Sequence, residues 1–314
     1  MLSISRLLAG TATESDALRY GRQSGKLPSH LLHYSEDKKP VVVWTSTHRC
    51  NLHCAHCYSN SFDHAYDGEL KTEEMLDIVD GLADFGCPVL LISGGEPMKR
   101  EGVFDVAQRA SDRGMRVVFS TNGTLITPEL SERIAKIGAS YVGISIDGRP
   151  ATHNKFRGMQ GAFESSLEAL ASCAAQGTKT GLRFTLTKAN QQDLPWLFEL
   201  MQERDIHRLC IYHLVPTGRG AKITGFAPTH EETRAAMDLI FQKTRELTGQ
   251  GFEMEVLTAD NHADSGYLYL DVLKNDPSRA EEVWNLLNWN GGNQSGIAIA
   301  AIDPKGNVHP DQFS

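Results

Sequence analysis

No stretch of the chain approaches the ~18–20 consecutive apolar residues that a membrane-spanning helix needs. The opening residues, MLSISRLLAGTATESDA, lack a basic leader and a continuous apolar core, so they read as mature sequence rather than a signal peptide. Positive charge is in deficit: 31 Lys and Arg stand against 39 Asp and Glu, a formal charge of −8. Such an acidic surface argues against nucleic acid or an anionic membrane as the main partner. Internal repeats and low-complexity tracts are missing too. Cysteine is scarce, with six in 314 residues, and Cys87, Cys173 and Cys210 stand alone. Those three read as small buried hydrophobes. No disulfide framework can be drawn from this spacing, which points to a reducing, cytoplasmic setting.

What the chain does have is a core's worth of apolar residues, 40% of the total, and from residue 41 a rhythm. VVVWTST (41–47), PVLLIS (88–93), MRVVFS (115–120), SYVGISI (140–146), GLRFTLT (181–187) and RLCIYHLV (208–215) read as buried strands. Between them lie helical patterns at 72–86, 103–114, 128–138, 161–177 and 194–205, with a Thr cap expected at Thr72 and Pro128 opening its helix. Near-continuously apolar strands alternating with helices predict a parallel α/β sheet, open or closed as a barrel. A further helix is expected at 229–249, after which the rhythm stops, and IAIAAIDPKGNVHPDQF (297–313) reads as a hairpin turning at DPKG. Before residue 40, helical character is expected only around ESDALRYGRQ. The chain thus divides into an N-terminal segment (1–40), the repeating region (41–228) and a C-terminal region (229–314), whose abrupt stop at Ser314 reads as a truncation.

In such folds function sits on the loops after the strands. Those loops hold Cys50, Cys54 and Cys57, then Gly94, Gly95 and Glu96 (GGEP), then Asn122 (TNGT), then Ser145 and Asp147 (SIDG) with Arg157 downstream, and finally YHLVPTGRG. Three thiolates in C-x3-C-x2-C spacing suit zinc or an iron–sulfur cluster. A cubane [4Fe–4S] cluster so held keeps one iron without a protein ligand, as a catalytic zinc keeps an open position. The alternative is a Cys3His zinc site completed by His48, His53 or His56.

With GGEP after the next strand, the pattern resembles the radical S-adenosylmethionine (SAM) superfamily. That resemblance implies a partial (β/α)6 TIM-type barrel with a C-terminal extension. It also implies a [4Fe–4S] cluster on Cys50, Cys54 and Cys57, and SAM chelating the free iron. His56 would then line the adenine, although the family usually has another aromatic ring there. Gly94, Gly95 and Glu96 would meet the SAM amino group, and Ser145 and Arg157 its carboxylate and ribose, with Asn122 a further ribose contact. The implied chemistry is reductive cleavage of SAM to a 5′-deoxyadenosyl radical that takes a substrate hydrogen, with sensitivity to oxygen.

KLPSHLLHYSEDKKPVVVWTSTHRCNLHCAHCYSNS, YHLVPTGRG and GGNQSGIAIAAIDPKGNVHPDQF extend the resemblance to the heme d1 biosynthesis branch, within the group carrying SPASM or twitch extensions. This implies removal of propionate side chains from 12,18-didecarboxysiroheme and a flavodoxin- or ferredoxin-type electron donor. It further implies a second [4Fe–4S] cluster in a C-terminal extension, for which the chain offers no cysteine after Cys210. His213 and Arg219 are candidates for the tetrapyrrole carboxylates. The alternatives are a related siroheme-dependent heme-pathway enzyme, which would remove acetates instead, a peptide-maturing SPASM enzyme, and a non-enzymatic metal or redox module.

Overall fold

The structure, a computed structural model, describes residues 1–13, 16–20 and 39–314. Part of the expected ESDALRYGRQ helix and the KLPSHLLHYSEDK stretch lie outside the described residues. In chain order the elements begin with strand β1 (Leu2–Ser3) and helices α1 (Ile4–Ala9) and α2 (Asp16–Tyr20). Then come β2 (Val41–Thr45), α3 (Thr72–Phe85), β3 (Val89–Ser93), α4 (Val103–Asp112), β4 (Arg116–Thr121) and α5 (Pro128–Lys136). The alternation continues through β5 (Tyr141–Ser145), α6 (Pro150–Arg157), α7 (Ala162–Ala175), β6 (Thr180–Leu186), α8 (Leu194–Glu203) and β7 (Arg208–His213). After these come α9 (His230–Gly249), β8 (Glu255–Ala259), α10 (Ala263–Asn275), α11 (Ala280–Asn290), β9 (Ile299–Ile302) and β10 (Val308–His309).

Two compact units divide the described chain. The cysteine-loop unit comprises Lys39–Leu182, Val215–Thr224 and Ser295–Ser314. Its strands run in the order β10-β9-β2-β3-β4-β5, parallel from β9 to β5, with β10 antiparallel to β9. The expected hairpin is therefore present, and β9 adds it to the first strand of the rhythm. Leu90, Ile92, Phe119, Val142 and Ile144 are essentially inaccessible to solvent, as a sheet covered on both faces requires. Every α/β repeat then ends its strands on the same side, and the strand-end loops converge there.

Helix limits follow local chemistry. At α3 the cap position falls on Lys71, not Thr72, because the Glu74 carboxylate accepts from the Lys71 backbone N–H at 2.7 Å. Gly86, at φ 87°, closes that helix in the left-handed region. Thr127 and Pro128 start α5 as expected, with the Thr127 hydroxyl accepting from Leu130 N–H.

The second unit comprises the described N-terminal residues with Arg183–Leu214 and Gly225–Gln294. Its strand order is β1-β8-β7-β6, with β7 and β8 parallel and β1 antiparallel to β8. Here the structure corrects two readings. Helical structure before residue 40 is not confined to ESDALRYGRQ: α1 forms at Ile4–Ala9, with Ile4 and Leu7 fully buried. The rhythm does not stop after α9 but continues through β8, α10 and α11. EVLTA opens on a charge and is only five residues long, so its apolar run was too short to separate strand from loop. In the cysteine-loop unit α6 was also missed, because its buried residues include polar His153, Asn154 and Arg157.

Candidate active site

The three cysteines follow β2 on a loop that buries Cys50 and Cys54 and half-buries Cys57. Glu69 anchors the entry to this loop, its carboxylate accepting from the Thr47 hydroxyl at 2.8 Å and from His48 N–H at 2.7 Å. GGEP lies directly against the loop's backbone. Gly95 N–H donates to Thr47 O at 2.7 Å and Glu96 N–H to Arg49 O at 2.9 Å. A Cβ on Gly94 would meet Thr47 O at 2.6 Å, and one on Gly95 would meet Arg49 O at 2.5 Å. Both glycines are therefore required by backbone-to-backbone packing.

Glu96 is fully buried. Its carboxylate accepts from the Thr121 hydroxyl at 2.6 Å, Asn122 N–H at 2.8 Å and Met98 N–H at 3.2 Å. Burial pushes its carboxyl above the usual range, and those three donors pull the other way. Glu96 thus ties the end of β3 to the end of β4. Asn122 is turned to the cysteine loop: its amide donates to Asn51 Oδ1 at 3.1 Å and lies 3.9 Å from Cys50 Sγ. Its Oδ1 accepts from Thr124.

After β5 the arrangement is ionic. Arg157 Nη2 sits 2.5 Å from Asp147 Oδ2, and Arg157 Nη1 donates toward Cys54 Sγ at 3.6 Å. His56 stacks on Phe156 with centroids 4.4 Å apart and planes at 10°, its Nε2 being 4.0 Å from Asp147. Burial drops the His56 pKa to about 4 despite that carboxylate, so the ring is neutral near pH 7. Ser145 is half-buried at the end of β5. Asp147, completely buried, was noticed at the strand end but given no role; Phe156 escaped notice because α6 did.

The two remaining candidates are each held by partners within the chain. Arg219 is buried, and its guanidinium donates to Cys54 O at 2.8 Å and Ser61 O at 2.7 Å. His213 lies in the second unit, where its Nε2 is 2.9 Å from the buried carboxylate of Asp264. Asn261 in turn donates to Asp264 Oδ1 at 2.8 Å.

The thiols differ in character. Burial raises the Cys50 pKa to about 12 and also raises Cys54, the latter opposed by Arg157. Burial acts the same way on Cys57, but hydrogen bonds from Ser59 and Ser61 and the charge of Arg219 outweigh it, so its thiol lies below the usual value. Arg157 Nε, Arg219 Nη2 and His56 Nδ1 are buried and have no hydrogen-bond partner among the described residues. The two orphaned guanidinium donors suit an anionic group held by thiolates. No three His, Cys, Asp or Glu side chains among the described residues converge at single-ion distance.

A strand-end site of thiols ringed by buried donors belongs to the class of cluster-bearing α/β enzymes. The model of the radical SAM superfamily matches residues 44–201, and the chain belongs to that superfamily. Its chemistry rests on a [4Fe–4S] cluster and SAM. The chain is 52% identical over 313 residues to Fe-coproporphyrin III synthase of Methanosarcina barkeri, covering all of this chain and 78% of that protein. To pre-heme d1 synthase of Dinoroseobacter shibae it is 41% identical over 278 residues, covering 88% and 69%. Among solved structures, SuiB of Streptococcus suis bound to S-adenosylmethionine superposes with a TM-score of 0.69 at 16% identity, covering 88% of this chain and 61% of that one. That likeness shows the partial-barrel α/β fold. The chain is an enzyme of the radical SAM heme-pathway group acting on tetrapyrroles.

Proposed function

We propose that the chain removes side chains from a partly decarboxylated siroheme, with acetates rather than propionates as the groups lost. The single observation that carries this is the 52% identity across the whole chain to a protein named for making an iron coproporphyrin. A coproporphyrin retains its propionates, so its formation from siroheme spares them and removes acetates. Propionate removal, which the sequence alone placed first, is the second reading, supported by the 41% identity to a pre-heme d1 synthase.

In this reading Cys50, Cys54 and Cys57 hold the cluster. Cluster and SAM, when bound, together supply the radical chemistry. The chain's own residues orient and enclose. Gly94, Gly95 and Glu96 offer backbone and carboxylate to the SAM amino group. Ser145 and Arg157 serve its carboxylate and ribose, with Asn122 beside them, and the His56 ring, backed by Phe156, lines the adenine. Asp147 holds Arg157 in its rotamer and compensates its buried charge. His213, set by Asp264, serves a tetrapyrrole carboxylate. A flavodoxin- or ferredoxin-type protein in the cytoplasm is the electron source; no helix among the described residues is long and apolar enough to cross a membrane.

Anaerobic turnover of 12,18-didecarboxysiroheme with reductant and SAM, followed by mass spectrometry, tests this. Loss of acetate masses is expected. Loss of propionate masses selects the second reading, and an unchanged tetrapyrrole with intact cluster and SAM cleavage rejects both.

A further inference from the structure

We infer that Arg219 is a positioning residue for the cluster: it clamps the cysteine loop from behind and places its charge beside Cys57. The inference rests on the radical SAM reading of the three cysteines.

The clamp is made of three bonds from one residue. Arg219 N–H donates to Cys57 O at 2.8 Å, its Nε to Cys54 O at 2.8 Å, and its Nη1 to Ser61 O at 2.7 Å. These acceptors bracket the second and third cysteines, so one rigid fork fixes the loop on both sides of Cys57. Phe62 flanks the guanidinium with its ring centroid 5.0 Å away. The neighbouring glycine exists for the same purpose. Gly218 has φ 56°, and a Cβ there would meet Tyr58 O at 2.2 Å and Cys57 O at 2.5 Å. Gly218 thus lets TGRG lie backbone to backbone against the cysteine loop, which brings the Arg219 side chain onto it.

An arginine used only as a tie would have every buried donor satisfied. Arg219 Nη2 is buried and finds no acceptor among the described residues, while the two other nitrogens of the fork are occupied. The chain therefore holds a cation, with a donor in reserve, beside a loop whose ligands turn anionic when they bind iron. A positive charge acting on the Cys57 thiol favours the more reduced, more negative cluster.

The test uses Arg219→Met and Arg219→Lys in the full chain, reconstituted anaerobically. Two quantities are read: the rate at which an iron chelator strips the cluster, and the midpoint potential by spectroscopic titration. Arg219→Met should lose iron about 10–100-fold faster, as supporting residues around metal ligands do, and its potential should fall. Arg219→Lys keeps the charge but not the fork, so it should strip faster while holding the wild-type potential. Should Arg219→Met not fold, Gly218→Ala replaces it: it displaces the same loop without touching the charge and should mimic Arg219→Lys. Wild-type stripping rate and potential in the variants, with only the Michaelis constant for the tetrapyrrole changed, would overturn the inference and return Arg219 to the substrate. Wild-type protein that assembles no cluster would instead overturn the radical SAM reading of the cysteines.

Discussion

The two units put their buried charges to different uses. In the cysteine-loop unit, charged groups are sunk completely: Glu96, Asp147, Arg157 and Arg219 are all buried, and each is tied to a strand-end loop. In the second unit the buried charges tie its own elements together: Glu255 pairs with Arg19 at 2.7 Å and with Arg208 at 3.1 Å, and Asp264 lies 2.9 Å from His213 at the strand end of β7. Buried charge is costly unless fully partnered. Gathering it around the cysteine loop marks where the fold sacrifices stability for geometry. That contrast should survive mutation, and each of the following can break it.

The largest effect is expected from Cys54→Ala, which should abolish cluster binding and SAM cleavage together, read as iron content and 5′-deoxyadenosine formed. Next comes Asp147→Asn. Removing the charge that compensates Arg157 should lower cluster retention or SAM cleavage by about 10–100-fold, measured at matched iron loading. Glu96→Gln places an amide N–H2 among donors that already converge on the carboxylate. It should destabilise the protein by about 1–3 kcal/mol, seen as a lower denaturant midpoint.

In the second unit the effects should be smaller and confined to substrate. His213→Gln should leave cluster content and SAM cleavage intact while raising the Michaelis constant for the tetrapyrrole by roughly 2–10-fold, the worth of one hydrogen bond. A loss of cluster in this variant would collapse the distinction between the units.

A pH series sharpens the same comparison. His153 Nδ1 accepts from Asp147 N–H at 3.0 Å, and burial, aided by the Arg157 charge, holds its pKa at about 4, below the ordinary 6.5. Between those values the unfolded chain binds the proton and the folded one does not. Stability should therefore be complete above about pH 6.5 and fall as pH drops toward 4, by roughly 3 kcal/mol at most from this group. His153→Gln, which keeps an acceptor without titrating, should flatten that slope in thermal unfolding.

Much of the cysteine-loop unit was legible because its signals are local. β-branched runs, glycine stops and the spacing of Cys50, Cys54 and Cys57 each lie within a few residues, and the strands from β2 to β5 fell where they were expected. The second unit was harder to read. EVLTA and the helices after it have weak periodicity, and their burial depends on partners such as α1 and β1 that lie more than 200 residues away in sequence.

The same divide runs through the site. Sequence by itself determined which residues could carry thiolate chemistry, since that depends on side-chain type and spacing along one loop. Only the tertiary structure decided what Arg219, Asp147 and Glu96 do. A guanidinium or carboxylate serves whichever acceptor or donor the fold brings within 3 Å, and here those groups come from segments separated by 10 to 165 positions in the chain.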